Sequence, residues 1–76
     1  MREIVQKKME SGFFALIDSL GDSEEITRWY AAWALGDAGD RRAIPALRRA
    51  AKKDPSSIVR EKAAESLGRL GGNYVQ

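Results

Sequence analysis

A fourteen-residue segment of this chain, ITRWYAAWALGDAG at positions 26–39, returns as IVREKAAESLGRLG at 58–71, a constant offset of 32 residues from Ile26 to Ile58. Seven of the fourteen aligned positions are identical: Ile26/Ile58, Arg28/Arg60, Ala31/Ala63, Ala32/Ala64, Leu35/Leu67, Gly36/Gly68 and Gly39/Gly71. Self-similarity at a fixed period of this size marks stacked supersecondary units, each relying on its neighbour to cover an apolar face that it cannot bury alone. A single-centred enzyme core is not the expected plan. The pattern implies a body whose work is binding, and it leaves the partner open.

Alanine is the commonest residue, β-branched residues are sparse and there are two prolines, a composition that favours helix throughout. The local patterns agree. Phe13, Leu16, Ile17 and Leu20 recur at i, i+3, i+4, i+7, and this first amphipathic helix is expected to stop near Gly21. The acidic stretch from Asp22 to Glu25 is a turn and the negative first turn of the next helix. That helix is expected to bury Thr27, Ala31, Ala34, Leu35 and Ala38, with Gly39 as its left-handed C′ residue and Asp40 as the next N-cap. A third helix carries Ile44, Leu47 and Ala51, with Pro45 near its start, where a missing N–H is tolerated. Asp54-Pro55-Ser56-Ser57 is a turn with Ser57 the expected N-cap, and a fourth helix buries Val59, Ala63, Ser66, Leu67 and Leu70 before Gly71-Gly72 ends it.

The first helices of the two units align at an offset of 31: Phe13, Ala15, Leu16 and Leu20 with Ile44, Ala46, Leu47 and Ala51. One extra residue in the second inter-helix turn is expected to absorb the difference. The chain of 76 residues therefore reads as one all-α domain: an N-terminal cap segment at 1–12, repeat 1 at 13–39, repeat 2 at 40–72 and a tail at 73–76. Ile4, Val5 and Met9 belong either to a short capping helix or to an extension of the first one. Small residues, the alanine pairs and Gly36/Gly68, let helices approach closely, while Leu35, Leu67, Ile44 and Leu47 fill the space between layers.

The string AAWALGDAGDRRAIPAL, with ITRWY before it and VREKAAESLGRLGG after, resembles the HEAT-like repeat typified by phycobilin-lyase HEAT proteins, over about residues 13–72. The Arg28/Arg60 sites, the paired alanines, the two LGxxG endings and the AIPAL opening at 43–47 carry the likeness. Thr27 departs from the branched apolar residue that the family places there, as at Val59. The resemblance implies a short α-solenoid of about two helix-turn-helix repeats. It also implies enzymatic relatives: chromophore lyases, which have many more repeats, and deoxyhypusine-hydroxylase-like metal enzymes, which rely on His-Glu motifs.

Histidine and cysteine are both absent, which removes the commonest metal ligands, a neutral-pH base, a thiolate nucleophile and any disulfide. No enzyme activity, no metal and no cofactor is therefore expected. Glu61 and Glu65 at i, i+4 lie beside Lys62 and Arg69 and read as a solvated face; Asp37 and Asp40 read as turn and cap residues. Apolar runs fall far below the roughly 20 residues of a membrane span, and the N-terminus lacks a signal-peptide core, so a cytoplasmic protein without a membrane partner is expected.

Net charge is only +2, yet the charges are sorted. From Glu10 to Glu25 every charged residue is acidic; from Arg41 to Lys53 every one is basic, namely Arg41, Arg42, Arg48, Arg49, Lys52 and Lys53. Opposite-signed faces of neighbouring helices account for this, or else the basic run neutralises phosphates. HEAT-like DNA glycosylases, by resemblance, hold DNA against aromatic side chains, which keeps nucleic acid as the alternative reading. Arg28 and Arg60 are expected to reach loop carbonyls or the carboxylates of Asp18, Asp22 and Asp54.

Function in such stacks lies on the second helices, on the side turned away from the first. With the stripe of Thr27, Ala31 and Leu35 inward, Trp29 falls nearly opposite, flanked by Ile26, Tyr30 and Trp33, and repeat 2 places Ile58, Glu61, Lys62 and Glu65 at the matching positions. Trp and Tyr are the usual anchors of binding hot spots, so this face, with Trp29 foremost, is the candidate partner site; packing within the fold is the competing use of the same aromatics. Two repeats also leave an apolar flank at each end, where such stacks need about three repeats with polar caps. A protein partner or a homo-oligomer is the leading expectation.

Overall fold

The computed structural model describes residues 12–72, all of whose regular structure is helical. Helix α1 covers 12–19 among the described residues. It is followed by α2 (Glu25–Ala38), a single 3-10 turn (Arg41–Ala43), α3 (Ile44–Lys53) and α4 (Ser57–Arg69). The pairs α1/α2 and α3/α4 are two helix-turn-helix units, and α4 packs against both α2 and α3. The result is the expected short α-solenoid. The N-terminal segment with Ile4, Val5 and Met9, expected as a capping helix or an extension of the first helix, and the tail at 73–76 lie outside the described residues.

Each boundary has a local cause. Gly39 takes φ 76°, a left-handed conformation that L side chains rarely adopt, and so closes α2. The Asp40 carboxylate accepts from Arg42 N at 3.0 Å and opens the 3-10 turn, with Pro45 in the first turn of α3. The cap of α4 is Ser56 and not Ser57. The Asp54 carboxylate accepts from Ser56 N at 2.9 Å, holding Ser56 extended, and Ser56 Oγ then accepts from Val59 N at 3.2 Å, so that Ser57 becomes the first helical residue.

The extra residue of repeat 2 also sits elsewhere than expected. Residues 20–24 separate α1 from α2, whereas only 54–56 separate α3 from α4. The insertion therefore lengthens α3 through Lys53 instead of lengthening the turn.

The core joins Ala32 and Leu35 of α2, Ala43, Leu47 and Ala50, and Ala63, Leu67 and Leu70, with Phe13, Leu16, Ile17 and Leu20 packed on it. On α2 the buried residues are Ala31, Ala32, Leu35 and Gly36, while Ala34 is half-buried and Ala38 exposed. The buried sector is rotated from the expected stripe because α2 is covered by the next repeat as well as by the first helices. Gly36 lies against Ser66, whose hydroxyl donates to Ala32 O at 2.6 Å, and a Cβ on Gly36 would come within 2.3 Å of Ser66 Oγ. Gly68, expected to serve the same close approach, has nothing within 4 Å of where its Cβ would stand.

Candidate binding face

Arg28 ties the two repeats together and sets the position of α2 against α4. Its Nε and Nη2 donate to the Asp54 carboxylate at 2.9 and 3.3 Å, and its Nη1 donates to Asp22 O and Ser23 O at 2.9 and 3.1 Å. The pair is largely shielded from solvent, the side chains being 13% and 5% exposed. Arg60 repeats the local half of this scheme by donating from Nη1 to Asp54 O at 2.7 Å. Asp18 takes no part in either set. A second tie joins the start of α2 to the cap of α4, where the Ser56 hydroxyl donates to Glu25 Oε2.

These ties place the outward faces of α2 and α4 side by side. Between them lies an open, mainly apolar groove of about 260 Å³ walled by Glu25, Ile26, Trp29 and Ile58. Ile26 and Ile58 stand 68% and 57% exposed at its mouth. Trp29 is half-buried as the groove's wall, with Lys62 Nζ 5.2 Å from its ring centroid, an amphipathic stem and a cation–π contact covering one ring face. One turn further along, Tyr30 and Trp33 are 54% and 37% exposed and tilt against each other at 5.7 Å.

The six α2 and α4 residues Ile26, Trp29, Tyr30, Trp33, Ile58 and Lys62 thus share one face. Glu61 and Glu65 are exposed on α4, and Glu65 accepts an ion pair from Lys62. That partner holds the Glu65 carboxyl below its ordinary value, with Arg69 adding a smaller pull in the same direction. The sequence reading missed Glu25. It lies four residues before Trp29, on the same helical face, which is the one signal that marked it.

The basic row divides. Arg41 Nη1 donates to Leu70 O at 2.8 Å, and Arg42 chelates the Asp40 carboxylate while stacking 4.4 Å over the Phe13 ring. The Arg42 hydrogen bonds hold the Asp40 carboxyl below its ordinary value and raise the arginine correspondingly. Arg48, Arg49, Lys52 and Lys53 are exposed and form no ion pair among the described residues. Arg49 and Lys53 border a cleft of about 380 Å³ with Asp18, Leu20 and Asp54. Asp18, the one charged side chain of α1 among the described residues, thus shares a cleft with the basic row of α3 but forms no ion pair there.

Among the described residues, no three His, Cys, Asp or Glu side chains lie close enough to hold a metal ion, and no helix is long and apolar enough to cross a membrane.

Comparison with known proteins finds a family model, described as HEAT repeats, that matches residues 14–75. The chain is also similar to a deoxyhypusine hydroxylase-B from Oryza sativa subsp. japonica, at 48% identity over 59 residues. That alignment takes in 75% of this chain and 19% of the relative, so the chain spans about a fifth of the rice protein's length.

Proposed function

This chain belongs to the HEAT-repeat family, and from that premise we propose that it is a non-catalytic protein-binding module whose partner lies across the outward faces of α2 and α4. The observation that carries the reading is the groove between Ile26, Trp29 and Ile58, continued by the exposed Tyr30 and Trp33. Large apolar side chains left in water on one contiguous strip cost free energy that a partner's apolar surface recovers. The strip is rimmed by Glu25, Glu61, Lys62 and Glu65, the arrangement of apolar centre and polar rim seen in protein interfaces. A groove with isoleucines at its mouth suits one or two apolar anchors from an amphipathic helix.

Selection of displayed peptides on the immobilised chain tests this. Peptides with helically spaced apolar anchors are expected. Their amide shift perturbations should fall on residues 25–33 and 58–65, and binding should weaken at least ten-fold in an Ile26→Asp, Ile58→Asp variant that keeps the wild-type helical circular dichroism. Selected peptides that map elsewhere, or that bind this variant unchanged, refute the proposal.

The exposed, unpaired row on α3 supports a second reading, nucleic-acid binding through Arg48, Arg49, Lys52 and Lys53, with Arg41 and Arg42 already committed to partners within the fold. Its signature is an affinity that falls steeply with salt, with a log–log slope near −0.9 for each phosphate neutralised on duplex DNA. Absence of salt-sensitive binding to a duplex oligonucleotide excludes it.

A further inference from the structure

The charge on the outward face of α2 and α4 runs against the charge of the whole chain. The groove and the strip that continues it carry three carboxylates, Glu25, Glu61 and Glu65, against the single ammonium of Lys62, a balance of −2 on a chain whose total is +2. The run of six basic residues stands in the other helix layer, on the 3-10 turn and α3. Lys62 is itself committed, pairing with Glu65 and lying over the Trp29 ring. Glu25, a wall of the groove, and Glu61, three residues after Ile58 on the same side of α4, are exposed and form no ion pair among the described residues.

A second, independent feature of the strip also favours positive charge. The ring faces of Phe13 and Phe14 meet Arg42, and that of Trp29 meets Lys62, whereas among the described residues no cation lies over Tyr30 or Trp33, both exposed. Such ring faces are negative and attract an ammonium or guanidinium, tryptophan most strongly. Seats for a cation therefore flank the apolar groove: the Glu25 carboxylate on one side, the Tyr30–Trp33 pair on the other. Glu25 and Trp33 are eight residues apart, about 12 Å along α2, which matches two turns of an incoming helix.

We propose that the partner of this face is a cationic amphipathic helix, whose apolar side chains at i+3 and i+4 enter the Ile26–Trp29–Ile58 groove while Lys or Arg at i and i+7 meet Glu25 and the Tyr30–Trp33 pair. The proposal rests on the reading of this face as a protein-binding site and adds the sign and spacing of what binds there. Long basic side chains suit the site twice over, because their methylene stems lie on isoleucine and tryptophan while their heads reach the carboxylates. An acidic helix with the same anchors would set its carboxylates against Glu25, Glu61 and the ring faces, and that repulsion supplies specificity. The same sign repels phosphate, which separates this face from the basic row on α3.

Two synthetic peptides test the proposal by titration calorimetry. Both carry leucine at i+3 and i+4 of one helix-forming frame; the first has lysine at i and arginine at i+7, the second glutamate at both. The basic peptide is expected to bind at least ten-fold more tightly at low salt, with the ratio shrinking at high salt as the exposed carboxylates are screened. The variant Glu25→Gln, Glu61→Gln, which keeps an oxygen for the Ser56 hydroxyl, is expected to close most of that ratio. Should it lose helix by circular dichroism, Glu61→Gln alone replaces it, with a smaller change in the same direction. Trp33→Leu, which keeps an apolar side chain and removes the π-face, is expected to weaken the basic peptide more than the acidic one. Equal affinity for the two peptides with amide shifts on residues 25–33 and 58–65, a preference for the acidic one, or a ratio unmoved by the glutamine variants overturns the cationic partner and leaves the groove as the binding site. Absence of binding by both peptides, or shifts that map elsewhere, overturns the groove and the cationic partner together.

Discussion

The two equivalent glycines, Gly36 and Gly68, are predicted to respond to alanine with opposite signs. Both are helical, so the intrinsic gain from replacing glycine is similar at each, about 0.5–1 kcal/mol in a helix interior. At Gly36 the new methyl would stand 2.3 Å from Ser66 Oγ, 2.6 Å from its Cβ and 3.0 Å from its Cα. Rotating the hydroxyl away relieves only the first contact, so α2 and α4 must separate by the better part of an ångström. Overpacking of this kind costs about 1–3 kcal/mol. Displacing Ser66 also loses its hydrogen bond to Ala32 O, worth about 0.5–1.5 kcal/mol. The net expectation for Gly36→Ala is a loss of about 1–3 kcal/mol after the propensity gain. Gly68→Ala, with nothing within 4 Å, is expected to be neutral or to stabilise by up to about 1 kcal/mol, less if last-turn fraying reduces the benefit. Urea denaturation followed by circular dichroism, at a concentration where each variant is monomeric, reads both. In the double variant Gly36→Ala, Ser66→Gly, two of the three clashes disappear and the pair should couple favourably by at least 1 kcal/mol. A Gly36→Ala chain as stable as wild type refutes the claim that α2 and α4 are locked in contact at this point.

Three further outcomes are expected. Arg28→Ala leaves the shielded Asp54 carboxylate without its counter-ion and should destabilise by about 2–4 kcal/mol in thermal unfolding, and Arg28→Lys should recover less than half, because one ammonium cannot replace a guanidinium that reaches Asp54 and two loop carbonyls at once. Ser56→Ala should cost about 1 kcal/mol through loss of the α4 cap, whereas Ser57→Ala should be near neutral; equal costs would restore Ser57 as the cap. Arg42→Ala should return the Asp40 carboxyl upward toward its ordinary value in a carbon-detected NMR titration. Because the folded carboxyl is depressed, its contribution to stability is present above the unfolded value and lost as pH falls through the folded one, so removing Arg42 should abolish that part of the acid dependence.

Much of the fold was legible because the repeat supplied two readings of each element. Gly39, Asp40 and Pro45 each marked a boundary through a conformation or donor that their side chains impose locally, and each sits where it was expected. The misses share a cause. Ala34 and Ala38 were assigned to the core from a single helical stripe, yet α2 is buried on two sides, and the second side is set by Ser66, thirty residues away in sequence from Gly36. Ser57 is a good cap by residue type, but so is Ser56, and the Asp54 carboxylate, which holds Ser56 extended, gives the cap to Ser56.

The candidate face was legible in outline for a different reason. Helical periodicity places Ile26, Trp29, Tyr30 and Trp33 on one side of α2 whatever their neighbours do, so their common face followed from spacing alone. Their individual exposures did not, because these depend on what α4 carries opposite. Lys62 covers part of the Trp29 ring, and the residue expected to be most available is instead the wall of a groove, with Ile26 and Ile58 standing proud of it. The same logic separates the two arginines that the repeat makes identical. Arg28 and Arg60 occupy the same register in their repeats and make the same Nη1 bond to their own loop, but among the described residues only Arg28 also meets a carboxylate, that of Asp54. Position within the stack, and not residue type, therefore decides whether such an arginine holds only its own loop or also ties two repeats together.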